Sequence, residues 1–212
     1  MEILESLEMR WFLSDKDPCL AVPQGWFESI TPEGKRIDDY LLTGRDDIGF
    51  KARGVEKQPT RIELKYLVGT LGILQVAPGV VGKLEHWSKL SMASDDHQLK
   101  EAGTWCAIEK GRRLRKFAFQ HGEASEVPVE SRPVAGCGVE LTQLLVKHSH
   151  ATARIEWTLG FEAFGPERML LEIFQATCRA ARESRLVLEL GSEKSMGYPQ
   201  WLASVLPTII SG

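Results

Sequence analysis

The sequence lacks several features that would place it at once. It has no CxxC pair, and Cys19, Cys106, Cys137 and Cys178 match no zinc ribbon or finger spacing. Four cysteines in 212 residues are too few for a disulfide framework, so free, mostly buried thiols in a reducing compartment are expected. It has no apolar run of membrane length. The most apolar stretch, Leu67 to Val81, is broken by Gly69, Gly72, Pro78 and Gly79 and falls short of the ~20 residues a spanning helix needs. Met1-Glu2-Ile3-Leu4-Glu5 has neither the basic n-region nor the apolar core of a signal peptide. No charge of one sign dominates: 26 basic residues stand against 29 acidic ones, for a net charge of −3. That excludes bulk attraction to nucleic acid or an anionic membrane, but not a local basic site. No internal repeat, low-complexity tract or long linker is found. With 43% hydrophobic and 26% charged residues, the chain is globular rather than disordered. A soluble, cytoplasmic protein of one domain, residues 1–212, is expected, or at most two small ones.

What is present is a period of two. Ser6–Leu13 sets Ser6, Glu8 and Arg10 against Leu7, Met9, Trp11 and Leu13. Asp47–Arg53 and Arg61–Leu67 alternate in the same way, and Arg36–Thr43, Gly138–Val146 and Ala151–Ala163 read as further strands. Trp105–Glu109 and Arg112–Phe119 read as a hairpin turning at Lys110-Gly111. Turns are also expected at Pro23-Gln24-Gly25, Pro32-Glu33-Gly34, Arg132-Pro133 and Gly165-Pro166. Glu167–Glu183 is an amphipathic helix behind Pro166. Arg185–Leu190 reads as a last strand, Pro199–Leu206 as a short closing helix and Val80–Met92 as another helix. Eight or nine strands with two or three helices make an all-β or α+β protein with hairpin connections.

Nearly every strand places charge on one face. The basic set is Arg10, Lys51, Arg53, Arg61, Lys65, Arg113, Arg115 and Arg154. The acidic set is Glu8, Glu63, Glu140, Glu156, Glu162 and Glu189. Two architectures give this pattern. In a β-sandwich, acting as an interaction protein, the charged faces are simply solvated. In a closed barrel of about eight strands they line an interior able to hold a small ligand. Six of the eight basic residues are arginine, which suits bidentate phosphate recognition and tolerates desolvation better than lysine.

The order of short motifs along the chain resembles the CYTH-like, or triphosphate tunnel, superfamily. Ser6-Leu7-Glu8-Met9-Arg10 is similar to its opening E-x-E-x-K strand, with Ser6 in place of the first glutamate. Gly49-Phe50-Lys51-Ala52-Arg53, Ile62-Glu63-Leu64-Lys65 and Lys110-Gly111-Arg112-Arg113-Leu114-Arg115 resemble its basic strands. Leu159-Gly160-Phe161-Glu162 resembles its late acidic strand, and Ser195 to Leu202 its closing Ser-Tyr-x-x-Leu-Leu segment. The resemblance implies an α+β, mainly β protein. Its core would be an antiparallel eight-stranded (or nine-stranded) tunnel barrel with two or three flanking helices. It also implies metal-dependent hydrolysis of inorganic triphosphate, a nucleotide or thiamine triphosphate. Glu8, Glu162, Glu140 and Glu63 would then hold Mg²⁺ or Mn²⁺, hard cations that prefer oxygen ligands. Arg10, Lys51, Arg53, Lys65, Arg113, Arg115 and Arg154 would grip the phosphates, since phosphoryl transfer asks mainly for positioning and charge stabilisation. Ser6 removes one carboxylate, so a non-catalytic relative that binds a phosphate or nucleotide is the alternative. The partner expected is a small polyphosphate, with no nucleic acid and no membrane.

Other motifs carry less. Gly79-Val80-Val81-Gly82-Lys83-Leu84 lacks both the spacing and the Ser/Thr of a P-loop. His148-Ser149-His150 has no third metal ligand nearby and reads as an exposed turn. Trp11, Trp105 and Trp157 read as core residues rather than a base-stacking platform.

Overall fold

The alternating stretches become strands that run longer than their patterns. The computed structural model describes residues 2–53, 60–94, 103–147, 154–186 and 189–210. Its strands are β1 (Glu2–Ser14), β2 (Arg36–Leu41), β3 (Ile48–Arg53), β4 (Thr60–Ala77), β5 (Val80–Ser94), β6 (Trp105–Gln120), β7 (Glu123–Val127), β8 (Gly136–Lys147) and β9 (Arg154–Phe164). The helices are α1 (Ala21–Trp26), α2 (Leu170–Glu183) and α3 (Tyr198–Ile210). The sheet order is β2-β3-β4-β5-β1-β9-β8-β6-β7, every ladder between these strands is antiparallel, and β2 also pairs with β6 from Arg36↔Lys110 to Leu41↔Trp105. That ladder closes eight strands into a barrel and leaves β7 as an addition on the end of β6. The protein is therefore α+β and mainly β. A closed barrel has no second sheet to press against, so the sandwich is overturned.

Strand parity sorts the side chains. Odd-numbered residues of β1, β8 and β9 face outward: Met9, Trp11, Val139, Leu141, Leu159 and Phe161 form the main core with Ile173, Phe174 and Ala181 of α2. Helix α2 thus lies against the outside of the barrel, with its apolar stripe covering the wall. Trp11 and Trp157 are buried there, their indole N–H groups donating to Val81 O at 3.0 Å and Asp15 Oδ1 at 2.8 Å. Cys106, Cys137 and Cys178 are buried and Cys19 is partly so.

A second, smaller core fills one end of the barrel from within. Phe12, Tyr40, Ile108, Leu144 and Val146 project inward and meet Trp201, Leu202 and Val205 of α3. Trp201 stacks on Phe12 at 4.7 Å between ring centroids, and Tyr198 stacks on Tyr40 at 5.8 Å. The chain leading into α3 is tethered by Met196 N–H donating to Arg10 O at 3.0 Å. Helix α3 is therefore a plug.

Four expectations are corrected. Val80–Met92 is the strand β5, because its backbone is paired on both sides, with β4 and β1. Lys110-Gly111 is not a turn but the middle of β6, where Lys110 pairs with Leu144 and Gly111 with Gln143 of β8. Pro23-Gln24-Gly25 lies inside α1. Arg185 sits at φ 74 and Leu190 makes an isolated parallel bridge to Val80, so no ladder forms on the described part of Arg185–Leu190. The His148-Ser149-His150 motif lies outside the described residues. No helix among the described residues is long and apolar enough to cross a membrane.

Candidate functional site

The inward, even-numbered face of β1 carries Ser6, Glu8, Arg10 and Phe12 in order of increasing depth toward the plug. The same parity on β8 and β9 supplies Glu140, Gly160 and Glu162. Odd-numbered residues do so on β3 and β4: Lys51 and Arg53 lie opposite Glu63 and Arg61, and Gly49 opposite Lys65. The enclosed space is about 290 Å³, near the lower end of small-molecule sites (roughly 300–1,000 Å³). Four cations proposed from the sequence line it: Arg10, Lys51, Arg53 and Lys65. So do Glu8, Glu63, Glu140 and Glu162. Four further cations join them: Arg36, Lys89, Lys110 and Arg112. Eight cations and four carboxylates thus line the cavity, and a fifth carboxylate, the wholly buried Asp38, stands behind Arg36, Lys110 and Lys51 at 3.1, 3.6 and 3.9 Å.

Three of the proposed phosphate residues lie elsewhere. Arg113 and Arg115 pair in register with Leu141 and Val139, both in the outer core, so they have outward parity. Arg115 is held there by Glu126 at 2.8 Å and lies over the Trp26 ring at 4.4 Å. Arg154 has inward parity but sits beyond the plug, 54% exposed and paired with Glu156. The shift on β6 follows from the continuous strand: without a turn at Lys110-Gly111, Lys110 and Arg112 face inward instead.

The charges inside are mutually paired, as burial requires. At the deep end, Arg10 donates to Glu140 at 2.7 Å and to Thr158 Oγ1 at 2.9 Å, and its guanidinium lies 4.9 Å from the Tyr198 ring centroid. Gly160 makes room for it: a Cβ there would sit 2.6 Å from Arg10 Cζ. Arg112 reaches Glu140 at 3.3 Å and Glu33 at 2.9 Å. Burial opposes ionisation of Glu140, but Arg10 and Arg112 outweigh it and hold the carboxyl far below the usual range. Midway along, Lys65 Nζ is 2.5 Å from both Glu8 oxygens, and the Ser6 hydroxyl donates to Glu8 at 2.8 Å. Burial opposes ionisation of Glu8 too, and Lys65 and Arg10 again prevail. Glu63 accepts from Lys51 at 2.9 Å and Arg53 at 3.2 Å. Against the cost of burial, Lys51 and Arg53 lower its carboxyl from 4.5 to about 2.

Lys110 is paired at longer range. Its amine donates to Tyr40 Oη at 2.6 Å, lies 4.0 Å from the Tyr198 ring centroid and stands 3.6 Å from Asp38. Burial, reinforced by the neighbouring Lys51, pushes it well below the ordinary lysine value. A lysine so displaced gives up its proton more readily than an ordinary one, and an anion bound beside it would favour its charged form.

The residues fit a pre-assembled metal site less well. Among the described residues no three His, Cys, Asp or Glu side chains converge closely enough to hold a cation. Glu8 and Glu162 are direct cross-strand partners on β1 and β9, but both Glu8 oxygens are engaged by Lys65, and one of them also accepts from the Ser6 hydroxyl. Glu162 is the least constrained, 37% exposed with Lys89 at 3.9 Å.

No protein-family model matches the chain, and no curated protein matches it. Among solved structures, it is similar to a conserved hypothetical protein from Pyrococcus furiosus, with 9% identity over 92% of this chain and 98% of that one (TM-score 0.49). A chain of the Schizosaccharomyces pombe Mediator head module aligns at 8% identity over 87% and 96% (TM-score 0.49). HpAC1 from Hippeastrum, described as having a dominant triphosphatase activity, aligns at 11% identity over 88% and 89% (TM-score 0.35). Likenesses this distant leave the function to be argued from the tunnel itself.

Proposed function

We propose that the tunnel binds the polyphosphate group of a small molecule: inorganic triphosphate, a nucleotide or thiamine triphosphate. One observation carries this reading. Arg10, Lys51, Arg53 and Lys65, from three separate strands, face one cavity with Lys110 and Arg112, and the cations lining it outnumber the carboxylates, with Asp38 behind them counted, eight to five. A solvated surface has no use for such an excess, whereas enclosure in low dielectric makes each cation worth more to an incoming anion. Guanidinium and ammonium groups together supply forked and point-charge donors to phosphate oxygens.

Metal-dependent hydrolysis of the same ligand is the second reading, favoured by Glu8 and Glu162 facing each other across β1 and β9 at the cavity. It requires that ligand binding draw Lys65 away from Glu8, since Lys65 now occupies both carboxylate oxygens. Mg²⁺ or Mn²⁺ would be the cation for such oxygen ligands.

Thermal unfolding with inorganic triphosphate, ATP or thiamine triphosphate tests the binding reading. Ligand at about 100 times its Kd is expected to stabilise the fold by about 2.7 kcal/mol. An unchanged melting temperature at millimolar ligand for all three would refute it. Phosphate release measured with and without Mg²⁺ or Mn²⁺ separates the two readings: turnover selects the hydrolase, stabilisation without turnover the binding protein.

A further inference from the structure

The tunnel is graded along its length. Arg10 and Lys110, beside the α3 plug, are each 5% exposed. Lys51 and Lys65 are 21% and 26% exposed, and Arg53 and Glu162 reach 34% and 37%. One end is sealed by aromatic packing and the other is open, so an anion enters at the Glu162 end and its leading charge stops near Arg10. The cavity is small, and its lining is almost wholly ionic. Anything attached to the trailing phosphate must remain at the mouth.

At that mouth lies a second concavity of about 630 Å³, which shares Lys89 and Glu162 with the tunnel. Its walls are of a different chemistry. Ile3, Leu4, Val134, Phe164 and Pro166 line it. Ile3, Leu4 and Val134 are 63%, 43% and 88% exposed, a cluster of apolar side chains facing water beside a channel of charges. Its charged lining residues are Glu5, Glu162 and Glu167 against Lys89, a balance that disfavours a second anionic group there. A tunnel evolved for inorganic triphosphate alone has no need of this annex.

Resting on the polyphosphate reading, we infer that the ligand is an organic triphosphate monoester with an apolar, non-anionic alcohol portion. It binds phosphate-first, with its organic part against Leu4, Val134 and Phe164. The annex, rather than the tunnel, makes the protein prefer an ester over free triphosphate. The ester has one ionisable oxygen fewer than inorganic triphosphate, so tighter binding of the ester is attributable to the annex and not to charge.

Calorimetric titration with inorganic triphosphate and with benzyl triphosphate tests this, using the full chain and the L4D/V134D variant. The wild type is expected to bind the benzyl ester at least tenfold more tightly. The variant should lose at least fivefold for the ester and stay within twofold for inorganic triphosphate, which also shows that it is folded. Equal affinities in the wild type, or equal losses for both ligands in the variant, would overturn the inference and leave the tunnel reading standing. No binding of either ligand would overturn both. A variant that keeps its ester affinity but changes oligomeric state in sedimentation would assign the patch to a second copy of the chain, against the inference.

Discussion

Replacing Glu63 by Gln probes the buried charge network without altering shape. The carboxylate is almost wholly enclosed, 6% exposed, between Lys51 and Arg53. Its folded value of about 2 against an ordinary 4.5 corresponds to a contribution of about 3 kcal/mol when the group is ionised in both states. Because the folded value is depressed, this stability is fully present above pH 4.5 and is lost as the pH falls towards 2. Urea unfolding of E63Q at pH 7 is thus expected to show a deficit of about 3 kcal/mol that shrinks as both proteins are acidified. The amide also leaves Lys51 and Arg53 with only the more distant Asp38, 3.9 Å from Lys51, as a counter-charge, so triphosphate should stabilise E63Q more than it stabilises the wild type. A surface carboxylate would give a change within ~0.5 kcal/mol and little pH dependence. That result, or a deficit equal at pH 7 and pH 3, would refute the assignment of Glu63 to an enclosed network.

The remaining expectations follow from the same geometry. Lys65→Met should weaken triphosphate binding at least tenfold, in line with ~1.5–3 kcal/mol for a charge-assisted hydrogen bond, whereas Arg115→Ala, on the outer wall, should leave it within twofold; titration of both variants separates inside from outside. Gly160→Ala drives a methyl into the Arg10 guanidinium and should cost ~1–3 kcal/mol in urea unfolding, with weaker ligand binding; wild-type values for both would show that Arg10 does not depend on that space. Trp201→Ala removes the side chain stacked on Phe12 and should cost ~3–5 kcal/mol; a loss below ~1 kcal/mol would mean that α3 is not a packed plug.

The barrel was legible in part because a period of two is a direct consequence of strand geometry. β1, β3, β8 and β9 each show it plainly, and Glu8, Arg10, Lys51, Arg53, Glu140 and Glu162 were read with the parity they hold. Closure was not legible, since the β2–β6 ladder joins distant segments and leaves no local trace. The errors came from local signals overridden by pairing. Lys110-Gly111 has turn composition, but partners on both sides keep it extended; one supposed turn reversed the facing of the rest of β6 and exchanged Lys110 and Arg112 for Arg113 and Arg115. Lys89 was lost because β5 is rich in both apolar and charged residues without clean alternation, and reads as a helix. Tyr198 and Tyr40 were missed as site residues because aromatic side chains in a helix and a strand look like core, and here they are core that also walls the cavity.

The location of a bound triphosphate is the most direct measurement of the central claim. A crystal structure of the protein grown with inorganic triphosphate should place its phosphorus atoms inside the barrel, between Arg10, Lys51, Lys65 and Lys110, with Lys65 drawn from Glu8. Triphosphate on the outer wall at Arg113 and Arg115, or a barrel interior without ligand at saturating triphosphate, would contradict it.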